Sequence, residues 1–228
     1  MKVKLVSYTQ SNIPGVDNLQ ELIAYAARVS NPSNQLNKET SQKLVRYLIE
    51  HQHWSPLEMV NACVEIETTR DIARQILRHR SFSFQEFSQR YADPTESFEF
   101  EFREARMQDK TNRQNSIAIT PLDGDRALNL VDEWQNKQMR VIQAVRDAHN
   151  FAKENGIAKE QSRAVFPEGM TPSKLYMNGS IRSWVHYIAL RQGNGTQKEH
   201  RDVAIACRDA IKEIIPDIED FVKRVYNE

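Results

Sequence analysis

The order of apolar and polar positions changes period several times along the chain, and each change predicts a structural element. Val3, Leu5 and Val6 are set among polar residues in the first ten positions, which predicts a strand. Leu19, Leu22, Ile23, Ala26 and Ala27 then recur at helical spacing, with Asp17 or Asn18 placed as a cap and Asn31-Pro32-Ser33 as a stop. A second helix from Thr40 to His51 buries Leu44, Val45, Leu48 and Ile49. It ends ahead of His53-Trp54-Ser55-Pro56-Leu57-Glu58, where Pro56 biases Ser55 toward extended backbone and places His53 and Ser55 on a loop or a helix entry. Residues 59–68 alternate Val60, Ala62, Val64 and Ile66 with polar partners, the period of a strand with one wet or interface face.

Helical period returns through Ile72, Ala73, Ile76 and Leu77, and on that helix Arg70, Arg74 and Arg78 share one face because they are four apart. An extended backbone over 84–91 then sets Glu86, Ser88 and Arg90 on one side. Residues 92–125 are polar, with an alternation at Phe98–Phe102 and a turn signal at 121–125, and read as a hairpin-like or irregular excursion. A long helix from Arg126 to Glu154 buries Leu130, Val131, Trp134, Val141, Ile142 and Val145, and Asn155-Gly156 ends it. A short helix to Val165 carries Arg163, and Pro167 closes it. A strand over Ser173–Met177 leads to a helix capped by Ser180, with Arg182 and His186 four apart on one side. Thr196 to Glu199 has the form of a capping box, and Pro216 opens a last short helix. The sum is a helix-rich α+β domain.

Composition narrows what such a domain does. The 228 residues suit one domain, and 31 basic residues balance 31 acidic ones, so any anion must be caught by a local cluster. No apolar run approaches the ~18 residues of a membrane span, and the N-terminal apolar stretch is too short for a signal peptide, so a soluble cytoplasmic protein is expected. Cys63 and Cys207 sit in apolar patterns and read as buried, reduced thiols without a neighbouring base. The seven glycines form neither GxGxxG nor GxxxxGK[ST], so a phosphate has to be gripped by side chains. The six histidines include no HExxH and the two cysteines are far apart, so no metal site is expected.

The segment 78–91, Arg-His-Arg-Ser-Phe-Ser-Phe-Gln-Glu-Phe-Ser-Gln-Arg-Tyr, is the local cluster. Complementing a helix dipole explains one cation near a helix end, at about 0.3–1 kcal/mol, but not Arg78, His79 and Arg80 together with a following face of Glu86, Ser88 and Arg90. Guanidinium forks match phosphate, a serine adds a neutral donor, and a carboxylate accepts from a polar ligand, so the cluster predicts a site for a phosphate with something attached. Adjacent helical residues diverge by about 100°, which lets the three cations serve more than one group or chain.

Arg78-His79-Arg80, seven residues and Ser88 resemble the signature of flavin-dependent thymidylate synthases, the thymidylate synthase-complementing proteins. His53-Trp54-Ser55-Pro56-Leu57-Glu58 resembles the family's H-x-[ST]-P-x-E element, and the stretches from Asn178 to Arg191 and Thr196 to Arg201 resemble its C-terminal block. The resemblance implies the family fold, with a small mixed or antiparallel sheet, over one domain spanning 1–228. It implies conversion of dUMP to dTMP with 5,10-methylenetetrahydrofolate as carbon donor, NADPH as reductant, FAD as hydride carrier and no cysteine nucleophile. Gln75, Arg78, Glu86, Ser88, Gln89, Arg90, Arg163 and Arg191 would hold dUMP, with Arg191 the residue nearest the chemistry. His53, Ser55, Arg78, His79, Arg80, Glu86, Ser180, Arg182 and His186 would contact FAD. A homotetramer with active sites between subunits is implied, with no nucleic acid or membrane as partner. The chain departs from the family pattern at Gly195, where histidine is frequent, and at Ser180 and His186, where asparagine or a similar residue is.

Two other readings compete on the residues alone. An arginine stripe beside phenylalanines would suit a module for single-stranded RNA, but the neutral pI of about 7.0 argues against it. Glu58 and Glu86 as paired carboxylates around a metal would suit a nucleotide hydrolase.

Overall fold

The computed structural model describes residues 1–225. Its central sheet is antiparallel throughout, in the order β1 (Lys2–Tyr8), β2 (Asn61–Thr69), β6 (Pro172–Ser180), β3 (Ser83–Glu86). Between these strands the chain forms α1 (Leu19–Ala27), α2 (Ser41–Glu50), α3 (Arg70–Ile76), α4 (Pro94–Ser97), the hairpin β4 (Arg106–Gln108) and β5 (Ser116–Ala118), α5 (Asp125–Glu154) and α6 (Lys159–Ser162). After β6 come α7 (Ile181–Arg191), α8 (Lys198–Lys212) and α9 (Ile218–Arg224).

The period-two pattern of β2 decides which sheet face is covered. Ala62, Val64 and Ile66 are fully buried with Leu175 and Met177 of β6, under Trp184, Tyr187 and Ile188 of α7 and Val203, Cys207 and Ile211 of α8. The opposite face carries ions: Lys174 of β6 pairs with Glu67 at 2.9 Å and Glu65 at 3.5 Å across to β2. Such half-exposed pairs contribute about 1 kcal/mol at most, so the apolar face holds the sheet. Ile23, Val45, Ile49, Phe221 and Val222 of α1, α2 and α9 extend the same core.

Asn18 caps α1, accepting from the Glu21 N–H. Four expectations are corrected by the tertiary packing. On α5, Ile142 and Val145 are buried along with Gln138, His149 and Ala152, whereas Leu130, Trp134 and Val141 stand 43–45% exposed. Thirty residues of helix extend about 45 Å, and only the C-terminal half packs against α6 and the turn after it. The 92–125 excursion does contain a hairpin, but at 106–118 and not at the Phe98–Phe102 alternation, which forms no strand. Gln197, not Thr196, is the N-cap residue of α8. Cys207 is buried, while Cys63 lies on the half-exposed face of β2. Among the described residues no helix is long and apolar enough to cross a membrane.

Candidate active site

The helix carrying the arginine stripe ends at Ile76, so Arg78, His79 and Arg80 occupy successive turns instead of a helix face. The His79 N–H donates to the Ile76 carbonyl at 3.0 Å and the Phe82 N–H to the His79 carbonyl at 3.2 Å. Arg70 and Arg74 are spent on Glu86 and Glu168, whereas Arg78 and Arg80 are exposed and pair with no carboxylate among the described residues. The turn is pinned to α7 by the Ser183 hydroxyl, which donates to the Ser81 carbonyl at 3.2 Å, and by Phe82, whose ring meets Trp184 edge-on at 4.8 Å.

At the C-terminal end of α7, Arg191 Nε donates to His79 Nε2 at 2.9 Å. Burial, then Arg191 and then Arg78, push the His79 imidazole down to about 4, so it is neutral near pH 7 and accepts this bond. Gln75 joins the group through His200, whose Nδ1 lies 3.2 Å from Gln75 Oε1 and whose Nε2 lies 3.2 Å from the Tyr187 hydroxyl. Tyr187 and His200 were not singled out by sequence. Their signal was available: Tyr187 is one helical turn before Arg191, and His200 is a polar residue on the inward face of α8.

A second group forms at the other end of α7. Ser180 caps the helix, accepting from the Ser183 N–H, and its hydroxyl also donates to Glu58. Arg182 Nη1 lies 2.6 Å from the other Glu58 oxygen. Burial works to raise the Glu58 pKa, but the bonds from Ser180 and Arg182 outweigh it and hold the carboxyl below its ordinary range. His186 packs on Trp54 at 4.3 Å, and its Nε2 is buried without a partner among the described residues. His53 and Ser55 are exposed nearby, His53 beside Tyr47 and His51.

The rest of the signature forms a third group, because β3 stops at Glu86 and residues 89–91 turn. Glu86, Ser88 and Arg90 therefore do not share a strand face. Glu86 accepts from the Ser173 hydroxyl at 2.9 Å and lies 3.8 Å from Arg70. Arg90 reaches Glu160 of α6 at 3.3 Å, and Arg163 Nε donates to the Glu160 carbonyl at 3.2 Å, so the fold brings these two arginines together beside Ser88, whose hydroxyl accepts from the Arg90 N–H. Gln89 is buried, its Nε2 without a partner among the described residues. Glu58 and Glu86 are tied to Ser180 and Ser173, seven positions and so about 23 Å apart on β6. That separation removes the paired-carboxylate reading.

Just beyond Arg90, Asp93 and His149 of α5 form a buried pair at 2.7 Å. Burial acts to raise the Asp93 pKa, yet the bonds from Thr95 and His149 win and lower it from 3.8. A depressed folded-state pKa means stabilisation that is full above the unfolded value and is lost as pH falls through the folded one. Asp93→Asn is expected to lower the urea midpoint near neutrality and to flatten its decline between about pH 5 and about pH 3. An unchanged acid limb would show that this pair does not anchor the segment.

Cavities of about 810 Å³, between the β4–β5 hairpin and α5, and about 650 Å³, over the ionic sheet face, are lined by none of these three groups. The groups instead lie open at both ends of α7 and along α6.

Comparison with known proteins gives the family and the fold. The family model described as "Thymidylate synthase complementing protein" matches residues 4–217. A probable flavin-dependent thymidylate synthase of Paramecium bursaria Chlorella virus 1 is 46% identical over 96% of this chain and 97% of its own length. The flavin-dependent thymidylate synthase of a Synechocystis strain is 44% identical, with 96% and 97% covered. In structure, a UMP/dUMP methylase PolB of Streptomyces cacaoi, solved with 5-Br dUMP, superposes with a TM-score of 0.74 at 23% identity over 96% of this chain and 93% of its own, which establishes a shared fold. The similarity to flavin-dependent thymidylate synthases over nearly the whole chain defines an enzyme of the methyltransferase class. The chain belongs to the thymidylate synthase complementing protein family, the flavin-dependent thymidylate synthases.

Proposed function

We propose that this chain converts dUMP to dTMP, drawing the carbon from 5,10-methylenetetrahydrofolate and oxidising NADPH. The observation that carries the reading is the Arg191–His79 bond: a neutral imidazole holds Arg191 Nε and leaves the rest of the guanidinium for a ligand, on the same patch as Gln75. From that position Arg191 stabilises negative charge at a pyrimidine N3 and its carbonyl as the base is activated. Arg78, Ser88, Gln89, Arg90 and Arg163 bind the rest of dUMP, with Ser88 and Arg90 at the phosphate, and Glu86 accepts from its donors.

The donor set fits an anionic dinucleotide. Arg78 and Arg80 lack carboxylate partners among the described residues, and His186 aims a buried, unpartnered nitrogen beside the Glu58-anchored Arg182. FAD, when bound, supplies the redox chemistry between NADPH and the nucleotide. His53, Ser55, Arg78, His79, Arg80, Glu86, Ser180, Arg182 and His186 would hold it. The relatives' names as flavin-dependent enzymes support the cofactor, and the fold neighbour's 5-Br dUMP supports the substrate.

The three open groups are completed between subunits of a cytoplasmic homotetramer, for which the uncovered Leu130, Trp134 and Val141 of α5 are candidate contacts. Neither cysteine acts as nucleophile: burial pushes both thiols up, that of Cys207 very far. Purified protein is expected to be yellow, to bleach with NADPH, to sediment as a tetramer and to release dTMP from dUMP and methylenetetrahydrofolate. The Cys63→Ala/Cys207→Ala double variant should form dTMP near the native rate. Loss of dTMP with FAD retained in that variant would overturn the thiol-free route, and colourless protein that takes up no FAD would overturn the reading as a whole.

A further inference from the structure

Beneath the Arg191 patch runs a chain of hydrogen bonds whose direction is set from one end. Glu199, held by Arg103 at 3.4 Å, is a carboxylate and so accepts from the Gln197 amide nitrogen at 2.9 Å. Gln197 therefore turns its carbonyl to Gln75, whose amide nitrogen donates to it at 2.8 Å. That orientation leaves the Gln75 carbonyl facing His200 Nδ1 at 3.2 Å, which must carry the ring proton, and His200 Nε2 then accepts from the Tyr187 O–H at 3.2 Å. His200 and Tyr187 are buried to 0% and 2% exposure, while Gln197 is exposed, so the Gln75 carbonyl is turned inward and its nitrogen toward solvent.

We propose that His200, its Nδ1–H turned to the Gln75 carbonyl and its Nε2 to the Tyr187 O–H, is a positioning residue that with Gln197 locks the Gln75 amide with its nitrogen outward, as a donor to the acceptor oxygens of a uridylate. A free glutamine presents either end of its amide, and only the locked one offers a donor without an ordering cost. Burial first, then Arg191 and His79, push the His200 imidazole down to about 3, which keeps the ring neutral and the tautomer meaningful. The inference rests on Gln75 belonging to the dUMP site.

Two measurements on the FAD-loaded protein test it. Long-range 1H–15N correlation NMR should show His200 neutral and protonated on Nδ1; an Nε2–H ring overturns the proposal without any variant. Calorimetric dUMP affinity is then compared among Gln75→Ala, His200→Asn, whose amide nitrogen takes the place of Nδ1, and His200→Gln, whose nitrogen takes the place of Nε2. Gln75→Ala and His200→Gln should weaken dUMP binding about tenfold, and His200→Asn by about twofold at most. Equal losses in the two His200 variants, with Gln75→Ala weak, would mean that His200 only fills space. Unchanged affinity in Gln75→Ala would remove Gln75 from the dUMP site, and this proposal with it.

Discussion

The Arg191→Ala protein is expected to form thymidylate about 10²–10³-fold more slowly than the native enzyme, the usual cost of removing a donor aimed at developing negative charge. The loss should fall on turnover with the fold intact. Arg191 is a partly exposed residue at the end of α7, and its only side-chain hydrogen bond among the described residues is to His79. Removing it leaves a half-buried imidazole acceptor unpaired, at about 1 kcal/mol. Arg191→Lys should fall between, since an ammonium keeps the charge and loses the planar fork. An independent readout is the His79 titration. Without Arg191, the second of the causes that depress it, its pKa should rise from about 4, though burial, the largest cause, keeps it below 6.5. Native turnover in Arg191→Ala would remove this residue from the chemistry.

Gly179→Ala should destabilise the fold by about 1–3 kcal/mol, the cost of overpacking. A Cβ there would lie 2.4 Å from Phe82 Cδ1 and 2.6 Å from Cε1, and the ring cannot retreat because it packs on fully buried Trp184. Gly179 does not have a positive φ, so the cost is steric and not conformational. For a chain of this length the melting temperature should fall by roughly 2–12 °C. Phe82 lies two residues past Arg80, so a displaced ring also moves the Arg78–Arg80 turn, and FAD content should drop with stability. The discriminating measurement is a double-mutant cycle with Phe82→Leu. Relief of the clash makes Phe82→Leu less costly in the Gly179→Ala background than in the native one, whereas additive costs would show that the contact is not the cause.

Much of the fold was legible because local period and burial coincide. Asn18 and Ser180 cap the helices they precede, and the alternation at 59–68 is a strand with one charged face. Where the reading failed, neighbours distant in sequence decided. Nothing local says that α5 outruns its support, so Leu130, Trp134 and Val141 share a helical pattern with Ile142 and Val145 but not their burial. Nor does period reveal that β3 ends at Glu86, where the chain leaves β6 and turns toward α6.

The residue types at 75–91 and 178–191 by themselves determined that any phosphate taken up here would have to be met by guanidinium, hydroxyl and amide groups, because the chain has no glycine loop to do it and the net charge is zero. Only the tertiary structure decided how those residues are shared out: His79 with Arg191, Glu58 with Arg182, and Arg90 beside Arg163. Composition fixes which chemical groups a chain owns. Which of them meet depends on where α7 and α6 lie against the sheet, and that is set by apolar burial summed over the whole core, which no single segment carries.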